Sequence, residues 1–124
     1  MKEFDFRLRN AVPNRPEHYY LLCLHIVRDV CEYYGIEPQD LFIKRRYYPL
    51  STARYVLAII LSNKQLLHRT IFAKKIMAVN HAGYYSNKIL EKVVYNQKKI
   101  IEKLLQKDYP YEVEQYASNP INLN

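Results

Sequence analysis

Residues 30–61 read VCEYYGIEPQDLFIKRRYYPLSTARYVLAIIL. Val30, Cys31 and Tyr34 continue a run of three- and four-residue steps that begins at Tyr20, Cys23, Leu24 and Val27, the spacing of one helical face. Gly35 is the expected stop, because a residue without Cβ enters the left-handed conformation of a C-terminal cap without steric cost. Pro38 then opens a short helix carrying Leu41 and Phe42, and Lys44, Arg45 and Arg46 follow at its C-terminal end, where cations suit the helix dipole. Ser51 or Thr52 is the expected cap of the next helix, whose core face is Ala53, Val56, Leu57, Ile60 and Leu61. Helix, stop, short helix, basic loop and helix point to an all-α chain.

Outward from this stretch the same grammar holds. Pro16-Glu17 starts the helix that Gly35 ends. Residues 1–16 carry two prolines and no clean period, so an N-terminal arm is expected there, docked through Phe4, Phe6 and Leu8. Downstream, a looser KQLLHRT leads to a short amphipathic helix around Ile71, Phe72 and Ile76. Asn80 is the expected N-cap of a long helix from about His81 to Lys107, with an apolar stripe of Ile89, Leu90, Val93, Val94, Ile101, Leu104 and Leu105. The tail 109–124 reads as irregular. The expectation is one helical domain over 17–108, with five or six helices and neither repeats nor strands.

Composition narrows the function. Of 124 residues, 49% are hydrophobic, including 13 Tyr, so a real core is expected rather than disorder. The net charge of +7 favours a polyanionic partner such as nucleic acid or an anionic membrane. Cys23 and Cys31 lie two helical turns apart, too far for a mutual disulfide, and read as buried thiols in a reducing compartment. The opening MKEFDFRLRN is charged throughout, unlike a secretory signal, and YVLAIIL is too short to span a bilayer. A cytoplasmic protein with no membrane partner is expected. His18, His25, His68 and His81 have no metal-ligand spacing with each other or with the cysteines. With no Gly-rich phosphate loop and no nucleophile–base pair either, the expectation is no enzyme, no metal, no cofactor and no small-molecule substrate.

Two constellations carry binding chemistry. The first is the short helix, turn and long helix of residues 70–107, a helix-turn-helix pattern with its turn at Ala78-Val79. Lys74 and Lys75 lie on the polar face of its first helix. At the start of its second, Asn80 caps or pairs with adenine, His81 reads a base edge, and Ala82 and Gly83 are small enough for close approach to DNA. The second constellation is KRRYYPLSTARY, residues 44–55. Lys44, Arg45 and Arg46 form a basic loop, and Tyr47 and Tyr48 can hydrogen-bond phosphates. Arg54 opens the following helix, where a cation opposes the dipole, so a phosphate contact is a reason for its position.

These motifs resemble those of the C-terminal DNA-binding domain of the bacterial replication initiator DnaA. In that family a Val-Ala-Glu-Tyr-Tyr-like helix leads to a short Asp-Leu helix, then to a Lys-Arg-Arg loop. Glu32, Tyr33, Tyr34, Ile36, Asp40, Leu41, Lys44, Arg45, Arg46 and Arg54 fall at matching positions without a gap. VNHAGYYSNKILEKV (79–93) is similar to the family's Arg-Asp-His-Thr-Thr-Val signature, with His81 on the signature His, Asn80 on the Asp, and Ala82 and Gly83 on the two Thr. The resemblance implies a DnaA-like, Trp-repressor-like helix-turn-helix in a stand-alone, divergent relative. It further implies that Arg46 reaches into a minor groove, Arg54 contacts bases or phosphates, and His81 reads a base. Double-stranded DNA is then the expected partner, in replication initiation or transcription regulation. Tyr55 stands where the family has Gln, and Ala82 and Gly83 lack the two Thr hydroxyls. The departures at Asn80, Ala82 and Gly83 favour the alternative, a protein-interaction adaptor on a lapsed DNA-binding surface. Leu90, Val94, Gln97, Ile101 and Leu104 form a two-heptad seam that suits either packing inside the chain or a homodimer through the long C-terminal helix.

Overall fold

The computed structural model describes residues 1–79 and 85–110. Among these the chain forms six α-helices: α1 (Lys2–Ala11), α2 (Glu17–Tyr34), α3 (Leu50–Asn63), α4 (Arg69–Ile71), α5 (Asn87–Asn96) and α6 (Lys98–Gln106). A 3-10 helix, Pro38–Phe42, lies between α2 and α3, and α4 runs on into a π-helical turn, Phe72–Ile76. No strand occurs among the described residues, so the all-α expectation holds.

α3 is the centre of the molecule, packed against α2 on one side and α5 and α6 on others. Its residues Val56 to Leu61 are all buried in succession, as expected of a helix enclosed all round. Truncating Leu57, fully buried, costs about 2–5 kcal/mol. α2 packs against it and buries Tyr19, Leu22, Cys23, Ile26, Val27 and Val30 in the core. Gly35 ends α2 with φ +67°, and the Ile36 amide closes onto the Cys31 carbonyl at 3.0 Å, a Schellman close.

Four expectations are corrected. Residues 2–11 are a helix rather than an arm, because Phe4 and Leu8, one turn apart, both seat in the core while Phe6 stays exposed. Arg9 pairs with Asp5 and with Glu17, tying α1 to the start of α2. Ser51 and Thr52 lie inside α3 rather than capping it, since Pro49 precedes the helix and its carbonyl accepts from the Ala53 amide at 2.9 Å. The long C-terminal helix does not begin at His81. Ser86 is the N-cap of α5, its backbone extended and its hydroxyl 3.5 Å from the Ile89 amide. The helix also breaks at Gln97, where the Tyr34 hydroxyl donates to the side-chain Oε1 at 2.7 Å. Finally, Tyr109 belongs to the core: it is buried, and its hydroxyl donates to Asp29 at 2.6 Å. Of the heptad seam, Leu90, Ile101 and Leu104 are buried within this chain, whereas Val94 is exposed.

Candidate nucleic-acid interface

The basic loop leaves the 3-10 helix at Phe42 and enters α3 at Leu50. Lys44, Arg45, Arg46, Tyr47 and Tyr48 are all exposed along it. A loop with so few side chains in the core needs another source of order, and Arg54 supplies it. From the opening of α3, its Nε donates to the Leu41 carbonyl and its Nη1 to the Arg45 carbonyl, each at 2.7 Å, while Nη2 donates to the Ile43 carbonyl. A planar guanidinium can serve three carbonyls on a curved backbone; an ammonium cannot reach them together. Partial burial lowers the Arg54 pKa, with Tyr85 and Tyr55 acting in the opposite direction, and a guanidinium stays charged regardless. The sequence-based expectation that Arg54 points at DNA thus meets a side chain engaged within the protein.

Opposite the loop stands the end of the π-helical turn. Lys74 and Lys75 are exposed on that turn, while Phe72, Ala73 and Ile76 are buried beneath. The Met77 amide donates to Phe72 at 2.9 Å and the Val79 amide to Ala73 at 3.0 Å, so wide turns carry the chain out of the helix. Ala78 takes φ +56°, a left-handed conformation unusual for a residue with Cβ, and it redirects the chain there. Asn80, His81, Ala82 and Gly83, which carry the signature expectation, lie outside the described residues. The chain is described again at Tyr85, whose buried ring meets Tyr55 and Phe72 edge-on, with centroids at 5.2 and 5.7 Å. α5 then presents exposed Asn87 and Lys88 in its first turn, and Arg69 donates to the Asn87 side chain.

Between these parts lies a cleft of about 390 Å³. Arg7, Lys44, Arg45, Arg46 and Arg54 line it, together with Leu41, Phe42, Ile43, Ser51, Tyr55, Met77, Ala78, Val79 and Tyr85. It therefore joins both constellations that the sequence set far apart, and among the described residues no carboxylate lines it. Val79 and Tyr85, the described residues on either side of 80–84, both face it. Lys44, Arg45, Lys74 and Lys75 have no ion-pair partner among the described residues.

Arg7 was not anticipated from the sequence. Its guanidinium sits 4.3 Å from the Phe42 ring centroid, and its Nη1 donates to the Ile76 carbonyl at 2.6 Å. It thereby fastens α1 to both walls of the cleft. The only local signal was an Arg one helical turn beyond Glu3, which by itself reads as an ordinary surface pair.

Among the described residues no group of three or more His, Cys, Asp or Glu could hold a metal ion. Nor is any described helix long and apolar enough to cross a membrane. No protein-family model, curated protein or solved structure matches this chain.

Proposed function

We propose that this protein binds double-stranded DNA without catalysis, as a divergent, initiator-like helix-turn-helix domain with a basic loop. The observation that carries the reading is the cleft itself: a loop with three consecutive cations faces the turn that leads toward α5, and among the described residues the charged side chains that line the space between them are all cationic. Phosphates supply most of the affinity of such a surface, and a rigid loop positions them at low entropic cost. In this reading Lys44, Arg45, Lys74 and Lys75 contact phosphates and Arg46 enters a minor groove. His81 reads a base edge from the segment ahead of α5, and the first turn of α5, with Asn87 and Lys88, lies against the duplex. Arg54 acts as a positioning residue that holds the loop.

The test is fluorescence anisotropy with a duplex pool selected from random sequence and an unselected pool, each at two salt concentrations. Convergence on a motif, with affinity that falls steeply with salt, supports a specific reader. Weak, featureless binding in both pools overturns it and leaves the protein-interaction adaptor as the reading to pursue.

A further inference from the structure

Tyr33, Tyr47 and Tyr48 are 50%, 52% and 66% exposed. Singly exposed tyrosines are ordinary on a protein surface, but Tyr33 and Tyr48 are gathered around one support. Tyr34 is 8% exposed, and its hydroxyl is held by Gln97 at the junction of α5 and α6. Tyr33 and Tyr48 each meet the Tyr34 ring nearly at right angles, with centroids at 5.0 and 6.2 Å. One comes from α2 and the other from the end of the basic loop, so a core-anchored ring aligns two exposed ones. Tyr47 adjoins Tyr48 in the chain, its carbonyl accepting from the Ser51 amide at 3.2 Å. Lys44 and Arg45 precede Tyr47 and Tyr48 on the same loop and have no ion-pair partner among the described residues. The neighbouring carboxylates Glu32 and Glu37 line a separate hollow beside Met1, Arg28 and Pro38.

A surface with exposed aromatic faces and an adjoining row of cations matches a ligand that has flat faces of its own and a polyanionic spine. Unpaired nucleotides have both, whereas in a duplex the base faces are already stacked on one another. We propose that the Tyr33–Tyr34–Tyr48 strip and the basic loop bind single-stranded DNA, the exposed rings stacking on unpaired bases and Lys44 and Arg45 following the phosphates. This goes beyond the duplex reading and shares only the basic loop with it.

The chain has no Trp, so Tyr48→Trp places a single indole on the strip. Titration of that full-length variant with single-stranded oligothymidine is expected to quench the indole saturably. In anisotropy, the double variant Tyr33→Ala/Tyr48→Ala is expected to bind oligothymidine roughly 10- to 100-fold more weakly than wild type. The single variant Tyr33→Ala, changed in α2 and outside the basic loop, also weakens oligothymidine binding but keeps the duplex-pool affinity of wild type. Tyr48→Phe keeps the oligothymidine affinity, because stacking uses the ring and not the hydroxyl. The proposal is overturned if oligothymidine leaves the indole unquenched or if the double variant binds as tightly as wild type. It is also overturned if oligouridine RNA is clearly preferred. A protein that ignores duplex pools yet binds oligothymidine through Tyr48 loses the duplex reading and keeps this one.

Discussion

The Arg54 guanidinium donates to the Arg45 carbonyl at 2.7 Å, so one cation fixes the backbone on which three others are displayed. The same group also holds the carbonyls of Leu41 and Ile43. Arg54→Ala should therefore lower stability by roughly 1–3 kcal/mol, and Arg54→Lys should recover only part of that loss. Chemical denaturation measures it. If Arg54 orders the loop rather than touching phosphate, both variants weaken duplex binding without changing its salt dependence. A slope that falls by about one unit in Arg54→Ala alone would instead assign it a direct phosphate contact.

With about five phosphates neutralised, log affinity should fall against log salt with a slope of roughly −4 to −5. Lys74→Ala/Lys75→Ala should make that slope shallower by about 2 and weaken all sequences alike. Arg46→Ala should weaken binding and reduce preference for A·T-rich sites, while His81→Ala should relax one base position by about 1–3 kcal/mol. Arg46→Ala and His81→Ala variants that bind every probe as wild type does would sink the assigned surface.

The parts of the fold legible in the sequence are those whose partners are near in the chain or whose period is long. α2 has a stop at Gly35 and an apolar face that repeats over several turns, and α3 has an apolar run too dense for a surface helix. α1 offered only Phe4 and Leu8, a single one-turn pair, and what stabilises it is distant in sequence: the core and the Ile76 carbonyl that Arg7 holds. The start of α5 is ambiguous in the sequence because Asn80 and Ser86 are both good caps by residue type. Tyr85 decides between them. Its ring is pinned between Tyr55 and Phe72, so the helix starts just after it, and no local pattern announces that aromatic cluster. For the site, the exposed basic loop was legible as a charge run. The engagement of Arg54 inside the protein was not, because it rests on carbonyls whose direction depends on the folded loop.

Asp29 gives the protein a testable acid response. Partial burial pushes its carboxyl pKa up, but hydrogen bonds from Lys107 and Tyr109 outweigh this, and the net shift is downward. A carboxyl whose folded pKa is depressed contributes stability above its unfolded pKa, near 4, and loses that contribution as pH falls through the folded value. Denaturation midpoints between about pH 2 and 6 should therefore drop more steeply below about pH 4 in wild type than in Asp29→Asn. At neutral pH the variant should be less stable by roughly 1–2 kcal/mol, as the charge-assisted bond to Lys107 at 2.6 Å is lost. Equal acid profiles would show that the link between α2 and the residues after α6 adds nothing to stability.

Burial pushes both thiols up, Cys23 to about 12, with its hydrogen bond to Tyr19 acting the other way, and Cys31 to about 12, with Asp40 and Glu37 raising it further. Only the thiolate attacks a disulfide reagent, so at pH 8 each thiol is protonated as well as enclosed between α2 and the core. An aromatic disulfide reagent should find neither cysteine in the native protein and both in denaturant. Because access requires the core to open, the slow native reaction should track stability: a core truncation such as Leu57→Ala should speed it, and Tyr48→Phe on the exposed loop should not. Rapid modification of either thiol in the native state would mean that α2 separates from the core far more readily than its burial indicates.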